Sequence, residues 1–450
     1  MSVDDVAGTR SHSAEPAHQV IDLKASRRAL VAGSLGNLVE WYEFAVYAYM
    51  APIIAPLFFP SGSSTASILS TFLVFALAFF LRPLGAAIFG PLTDRWGRRP
   101  VLLLIITMMA VATAAIGVLP THAAVGALAP VLLTLCRIAQ GISAGGEMGG
   151  AVSLMVESAP PGKRGAYGAW SFTGTTLGYV LGGTVATVLS LSLTPEALST
   201  WGWRIAFLLA LPMGIVVVYI RLRVDETPHF KEVAAERATT TTSSPASTSA
   251  LVRRPVGVLL ATAAVVVVYN AIGNTFMVGM PTFLSKSYAM TFLQSSVLAI
   301  VTGLVGGLTM PLFGALSDRI GRRPVLLAGT IAVVVLSYPM YWLIGLGFGG
   351  GLVALFLAGV LIGVVGGPMP AFLSESFRTR NRAAGVALTY ALTVAIFGGT
   401  APYAITAIAA ATGDRLSAAY FTIGCGLISL VGLLALSTVM RGQHRAELAD

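Results

Sequence analysis

Gly90-Pro91-Leu92-Thr93-Asp94-Arg95-Trp96-Gly97-Arg98-Arg99-Pro100 returns as Gly314-Ala315-Leu316-Ser317-Asp318-Arg319-Ile320-Gly321-Arg322-Arg323-Pro324, 224 residues further on. Each copy is wedged between long apolar stretches, so the chain reads as two related halves lying in a membrane. A second echo agrees. Glu157-Ser158, followed by Lys163-Arg164-Gly165, is answered by Glu375-Ser376, then Arg378, Arg380, Arg382 and Gly385. The period is far too long for a solenoid and fits two parallel six-helix repeats. Within each cluster, Gly90 and Gly314 are expected to make the sharp turn, and Pro100 and Pro324 suit the first turn of the next helix. Asp94 and Asp318 then fall near that helix's positive end.

Composition supports a membrane. The chain is 56% hydrophobic and 10% charged, against about a quarter charged in soluble domains, so it cannot present a polar surface to water. Apolar runs long enough to span a bilayer, about 17 to 25 residues each, fall at 30–53, 66–92, 101–119, 126–153, 167–191, 204–222, 256–284, 292–315, 325–345, 350–373, 383–409 and 417–440. The expected fold is all-α, with twelve transmembrane helices in two six-helix halves; runs 7 and 8 are the least cleanly separated.

Orientation follows from the basic residues. If both termini face the cytoplasm, 23 of the 28 Lys and Arg lie on that side and only Arg204, Lys286 and Arg415 lie outside, the asymmetry of the positive-inside rule. The formal charge of +9 therefore reads as topology and attraction to anionic lipid, not nucleic-acid binding, for which no basic face with interleaved aromatics exists. The expected organisation is a cytoplasmic tail (1–29), a first half (30–222), a linker (223–255), a second half (256–440) and a short tail (441–450). The linker holds the low-complexity run 239–249, which cannot bury a core. The first apolar run is too long for a signal-peptide core. Cys136 and Cys425 lie inside apolar runs and read as packing residues.

The repeated cluster resembles the signature of the major facilitator superfamily. Further segments narrow the resemblance: Gly36-Asn37-Leu38-Val39-Glu40-Trp41-Tyr42-Glu43-Phe44 in helix 1, Arg82-Pro83-Leu84-Gly85 in helix 2, and Arg137-Ile138-Ala139-Gln140-Gly141 with Gly145-Gly146-Glu147 in helix 4. Trp201-Gly202-Trp203-Arg204, Glu226-Thr227-Pro228-His229-Phe230 and Phe397-Gly398-Gly399-Thr400-Ala401-Pro402 continue it. Together they resemble the metabolite:proton symporters, a group that includes proline/betaine, shikimate, α-ketoglutarate and citrate porters. Two positions depart from the group: Glu43 stands where an aspartate is common, and Arg378 where a proline is usual. The resemblance implies a multi-pass protein of the plasma (inner) membrane, working as a monomer with no cofactor beyond the proton gradient. Osmosensing members can carry a long heptad-bearing C-terminal extension. Here about ten residues follow helix 12, which favours other members without removing proline or betaine as cargo.

The intramembrane polar residues can be read without the resemblance. Of 19 Asp and Glu, only Glu40, Glu43 and Glu147 lie well inside apolar runs, all in the first half. A carboxylate there is costly unless paired, hydrated or protonated, which suits a proton carrier. Glu43 and Arg137 fall near mid-membrane on antiparallel helices and are expected to pair, either as a proton-coupled switch of the kind found in proton-coupled sugar porters or as a static packing pair. Arg82 either binds a substrate carboxylate, for which a guanidinium fork is suited, or partners Glu40. Glu40 is expected to share the proton-coupling role with Glu43 and Arg137, and Tyr47, which continues the Glu40/Glu43 face, and Gln140, one turn beyond Arg137, are expected to line the substrate site. The second half offers neutral groups: Tyr269, Asn270, Asn274 and Thr275 on helix 7, with Thr389, Tyr390 and Thr393 on helix 11. These bind a small polar ligand or glue helices together. Gly174, Gly178 and Gly182 read as a close-packing seam on helix 5, and Glu147 as a structural hydrogen-bonding residue. Asp94, Arg98, Glu157, Asp318, Arg322 and Glu375 are expected to form ion pairs that gate the cytoplasmic end.

An enzyme needs a cofactor or metal constellation, and the five histidines are scattered over tails and loops. A channel does not need matched halves with mid-membrane charge pairs, and an exporter of apolar drugs favours an apolar cavity. The expectation is a proton-coupled symporter importing a small carboxylate or zwitterion. The alternatives are an uncoupled facilitator or exporter of the same fold, or a proline/betaine osmolyte porter.

Overall fold

The computed structural model describes residues 23–145, 152, 155–156, 159–223, 256–377 and 382–447. Within helices it does not describe the side chains of 23–33, Asp94, Arg98, Arg99, 221, 223, 256, 382–384 and 437–447. Glu147, Glu157, Arg378 and nearly all of the expected linker and N-terminal tail therefore lie outside the described residues.

Twelve long helical spans occur among the described residues. They are α1 (Leu23–Phe58), α2 (Ser64–Thr93), α3 (Pro100–Val118), α4 (Leu128–Gly145), α5 (Arg164–Ser192), α6 (Pro195–Ile220), α7 (Gly257–Ser287), α8 (Phe292–Ile320), α9 (Arg322–Ile344), α10 (Phe348–Glu375), α11 (Gly385–Thr412) and α12 (Arg415–Leu436). Eleven are long and apolar enough to cross a membrane. The exception, α1, is 36 residues long, but Glu40, Glu43, Tyr42, Tyr47 and Tyr49 lower its hydropathy. All five face inward. Large apolar side chains such as Leu191, Ile215, Leu308 and Val431 face outward, as lipid requires of a helix whose backbone is satisfied internally.

The separation of α7 from α8 is sharp. Thr291 caps α8, accepting from the Gln294 amide while the Gln294 side chain accepts from the Thr291 amide, which fixes the helix start.

The turns of the repeated cluster differ from expectation. Gly90 and Gly314 sit inside helices, and the chain reverses at Gly97 (φ 86°) and Gly321 (φ 93°). Only glycine enters that region without a Cβ clash, so the glycine preceding the arginine pair makes the corner. Gly314 instead lies against Gly165 of α5, so close that a Cβ on either would strike the other's backbone. Gly174, Gly178 and Gly182 do form a seam, against Ser34, Leu38, Trp41 and Ala45 of α1.

Helices α5 and α8 pack along a long seam between the halves, with a smaller seam between α2 and α11. The repeat relates these two pairs, because α8 is the second-half counterpart of α2 and α11 that of α5. Several helices are locally irregular, among them α2, α7 and α11. α2 breaks at Leu81–Arg82, because Pro83 has no N–H to return to the Phe79 carbonyl. α7 widens into a π-turn at Asn274–Gly279, and α11 does so at Val394–Gly398. Such turns re-aim side chains and recur at functional sites.

Candidate substrate and proton site

The break in α2 places Arg82 at the start of a new helical segment, where its side chain turns into the protein and is 1% exposed. Its Nη2 lies 3.3 Å from Glu40 Oε1. That is ion-pair distance, yet Nε, Nη1 and Nη2 make no hydrogen bond. The guanidinium sits 4.8 to 4.9 Å from the ring centres of Trp41, Phe44 and Phe79. Three π-faces stabilise the cation electrostatically but do not use its directional N–H donors. Arg82 is therefore charge-compensated and still able to fork onto a planar anion.

Arg137 of α4 is also fully buried, but its partners differ from the expected one. Among the described residues no salt bridge is seen between it and Glu43. Arg137 Nη1 donates to Gln140 Oε1 (2.8 Å) and Nη2 to the Phe75 carbonyl (3.2 Å), and the guanidinium lies 4.4 Å from the Tyr47 ring centre. Gln140 Nε2 donates to Thr113 Oγ1 (2.6 Å), and Thr113 Oγ1 donates to Glu43 Oε2 (2.5 Å). The acid and the base thus communicate through Thr113 and Gln140. The physical reason is that Gln140 and Thr113 bridge the two groups, while the Arg137 guanidinium is held over the Tyr47 and Phe75 rings. Tyr47 donates its hydroxyl to the Thr71 carbonyl, so Tyr47 and Gln140 belong to the Arg137 network and not to the Arg82 enclosure.

From the second half, Tyr269 stacks on Phe172 of α5, ring centres 4.5 Å apart and planes at 10°. Tyr390 leans on the same ring at 5.6 Å. Asn274 Oδ1 accepts from Tyr179 Oη across the halves (3.1 Å), its Nδ2 donates to the Asn270 carbonyl, and Asn270 Nδ2 donates to Thr393 Oγ1. Tyr179 packs on Trp41 (5.3 Å), and both Tyr179 and Tyr390 lie within electrostatic reach of Arg82 and Glu40. Arg82, Tyr269, Asn270, Asn274 and Tyr390 therefore surround one centre between the halves. Gly399 presses on Phe79 and Gly398 on Asn274, so the π-turn of α11 lies against this centre.

At the end bearing the repeated clusters, Asp318 joins the halves. Its Oδ1 accepts from the Gly165 amide (2.8 Å) and its Oδ2 from the Ala166 amide (2.9 Å), both at the N-terminus of α5. Arg322 holds it from the other side, bonding Asp318 Oδ1 (2.6 Å) and Glu375 Oε1 (3.0 Å). Asp318 was expected near the positive end of its own following helix. It caps α5 instead, because the glycine contact at 165 and 314 brings that helix end within reach. At the opposite end Lys286 donates to Ser64, again between the halves.

The sequence reading overlooked Thr113, Phe172 and Tyr179. A threonine in an apolar helix normally satisfies itself on the carbonyl four residues back, as Thr113 also does with Met109. Nothing in the sequence distinguishes it from its neighbours.

The sequence profile of the Major Facilitator Superfamily matches residues 34–402. The chain is 33% identical over 426 residues to the proline/betaine transporter of Salmonella typhimurium, covering 92% of this chain and 83% of that protein. It is 32% identical over 426 residues to an ectoine/proline transporter of Corynebacterium glutamicum, covering 92% and 84%. The crystal structure of a D-xylose-proton symporter matches with a TM-score of 0.70 at 19% identity, over 91% of this chain and 97% of that one. A partially occluded inward-open form of the xylose transporter XylE from E. coli gives 0.69 at 17%, over 92% and 98%. At those identities the two structures speak to the fold alone.

Proposed function

Because the chain belongs to the Major Facilitator Superfamily and is a multi-pass membrane transporter rather than an enzyme, we propose that it imports a small zwitterion of the proline or betaine kind together with protons. The observation that carries this reading is Arg82, buried and charge-compensated by Glu40, with its N–H donors unused and three aromatic rings around it. A carboxylate takes the guanidinium fork. The cationic end of the same molecule finds the aromatic faces of Phe172, Tyr269 and Tyr390, which attract alkylated ammonium groups. Asn270 and Asn274 supply neutral hydrogen bonds from the second half.

Glu43 is the coupling carboxyl in this reading, tied to Arg137 through Thr113 and Gln140. Protonation weakens that chain, because a neutral acid holds its donors less strongly than a carboxylate, and frees α1 to move against α3 and α4. The Asp318–Arg322–Glu375 cluster then closes the inner end over α5. In this reading Asp94, Arg98 and Glu157, their counterparts by the sequence repeat, take the matching role in the first half. The positive-inside asymmetry, with 23 basic residues on one side in the topology read from the sequence, supports a reading in which that end and both termini face the cytoplasm at the plasma (inner) membrane.

The test is uptake into proteoliposomes under an imposed inward proton gradient, offering labelled proline, glycine betaine, mono-, di- and tricarboxylates and shikimate-like acids. The expected result is uphill accumulation of proline or betaine that a protonophore abolishes. Equilibration without uphill accumulation would make the protein an uncoupled facilitator, and preference for a di- or tricarboxylate would overturn the zwitterion assignment.

A further inference from the structure

Glu40 and Glu43 are one helical turn apart on α1, and both line a cavity of about 20 Å³ together with Met109, Ser143, Ala144 and Val217. A cavity needs about 10–15 Å³ on this measure to hold one water, together with polar partners. This one has the volume, two carboxyl groups and little else that is polar. The two carboxyls face different systems. Glu43 ends the Thr113–Gln140–Arg137 chain, whereas Glu40 lies against the Arg82 guanidinium.

We infer that the cavity holds a single water that carries a proton between Glu43 and Glu40, and that protonation of Glu40 is the event that hands Arg82 to the substrate carboxylate. The step balances without a further reagent. The Glu43 acid gives its proton to the water, the water gives one to the Glu40 carboxylate, and Glu43 is left ionised on the Thr113 hydroxyl. Glu40, now neutral, no longer competes for Arg82. The reading deepens the proton-coupled assignment of Glu43 and rests on it.

The groups facing this pair come from every helix around it. They are Arg82 from α2, Arg137 from α4 and Tyr179 from α5, with Tyr390 from α11. Tyr42 on α1 itself lies within electrostatic reach of Glu43. Among the described residues α3 and α6 bring only uncharged side chains to it, Thr113, Met109 and Val217. Each cation is already engaged, Arg82 by Glu40 and Arg137 by Gln140 and a carbonyl. The proton is therefore the movable charge.

The experiment measures equilibrium binding of labelled proline and of glycine betaine to the full-length purified protein between pH 6 and pH 8, in the wild type, Glu40→Gln, Glu40→Asp and Glu43→Gln. Wild-type binding should tighten as the pH falls, because low pH neutralises Glu40. Glu40→Gln should bind at pH 8 at least about tenfold more tightly than wild type and lose the pH slope, while Glu40→Asp should keep it. Glu43→Gln should keep the slope in binding while losing proton-driven accumulation. Filling the cavity with Ala144→Val should slow accumulation and leave the equilibrium slope in place.

A Glu40→Gln protein that binds no more tightly than wild type at pH 8, or keeps the slope, overturns the inference. An Ala144→Val protein that accumulates at the wild-type rate overturns the water path. If neither probe binds the wild type, the zwitterion reading fails separately. The inference is then judged on fluorescence, since Arg82 lies over Trp41: the part of the emission that Trp41→Phe removes should change with pH in the wild type and Glu43→Gln but not in Glu40→Gln.

Discussion

The two halves share a sequence repeat and a fold but divide the chemistry. The first half holds Glu40, Glu43, Arg82 and Arg137 within a few turns of one another. The described part of the second half places only amides, hydroxyls and aromatic rings at the matching depth. Buried charges are costly unless paired, and pairing them within one half keeps every partner together while the halves move. The neutral half gives a different kind of freedom. Its π-turns at Asn274–Gly279 and Val394–Gly398 can shift register at the cost of hydrogen bonds worth about 1 kcal/mol each, with no charge exposed. Duplication therefore conserved the architecture while the side chains diverged, with buried charge gathered in the first half and neutral polar groups in the described part of the second.

Breaking the charged half should have the largest effect. Arg82→Leu removes the cation paired with buried Glu40, and removing one partner of a buried pair costs about 3–5 kcal/mol. The detergent-solubilised protein should melt at a clearly lower temperature, and combining Arg82→Leu with Glu40→Gln should recover much of that loss. Unchanged melting of the single variant would mean that Glu40 does not depend on Arg82 for its stability.

Glu43→Gln comes next in size, because it removes coupling and spares binding. Uphill accumulation should vanish while exchange of labelled for unlabelled substrate continues near the wild-type rate. Accumulation that survives would take Glu43 out of the coupling role and move the asymmetry to Glu40 alone.

The latch between the halves should respond less. Asp318→Asn removes a charge that two α5 amides and Arg322 share, an interaction with a helix N-terminus worth up to about 2 kcal/mol. Ala169, which packs on Gly314 inside the same seam, provides a reporter. An Ala169→Cys thiol, in a background lacking Cys136 and Cys425, should label several-fold faster once Asp318 is neutral. Labelling at the unmodified rate would show that apolar packing alone keeps the seam closed.

The smallest effect belongs to the neutral half. Asn270→Ala deletes a neutral hydrogen bond to Thr393, about 0.5–1.5 kcal/mol, so apparent substrate affinity should fall by no more than about tenfold. Arg82→Lys keeps the charge and loses the fork, and should weaken a carboxylate substrate by more. The reverse ranking would make Arg82 a structural partner of Glu40 and give recognition to the second half.

Much of this was legible in the residues alone. The offset repeat, the apolar runs and the intramembrane charges follow from solvent physics, because a bilayer rejects unsatisfied backbone and unpaired charge wherever they occur along the chain. The Arg82–Glu40 proximity was one of two readings available, since both side chains point inward from neighbouring helices. The direct Glu43–Arg137 pair was a reasonable expectation from depth, but depth ignores azimuth, and Gln140 and Thr113 stand in the line between them.

What the sequence by itself determined is the class of solvent, the number of long helices, the doubled architecture and the list of groups that had to be compensated inside. Tertiary structure decided which of those groups meet. Asp318 finds the start of α5 and not of its own neighbouring helix, because two glycines let the backbones touch. Thr113 becomes a link because α3 presents it to both Glu43 and Gln140. A one-dimensional pattern fixes which face of a helix is polar, since that depends on neighbours three and four residues away. Contacts between helices more than a hundred residues apart depend on crossing angle and on which side chains are small enough to allow close approach, and those exist only once the bundle has packed.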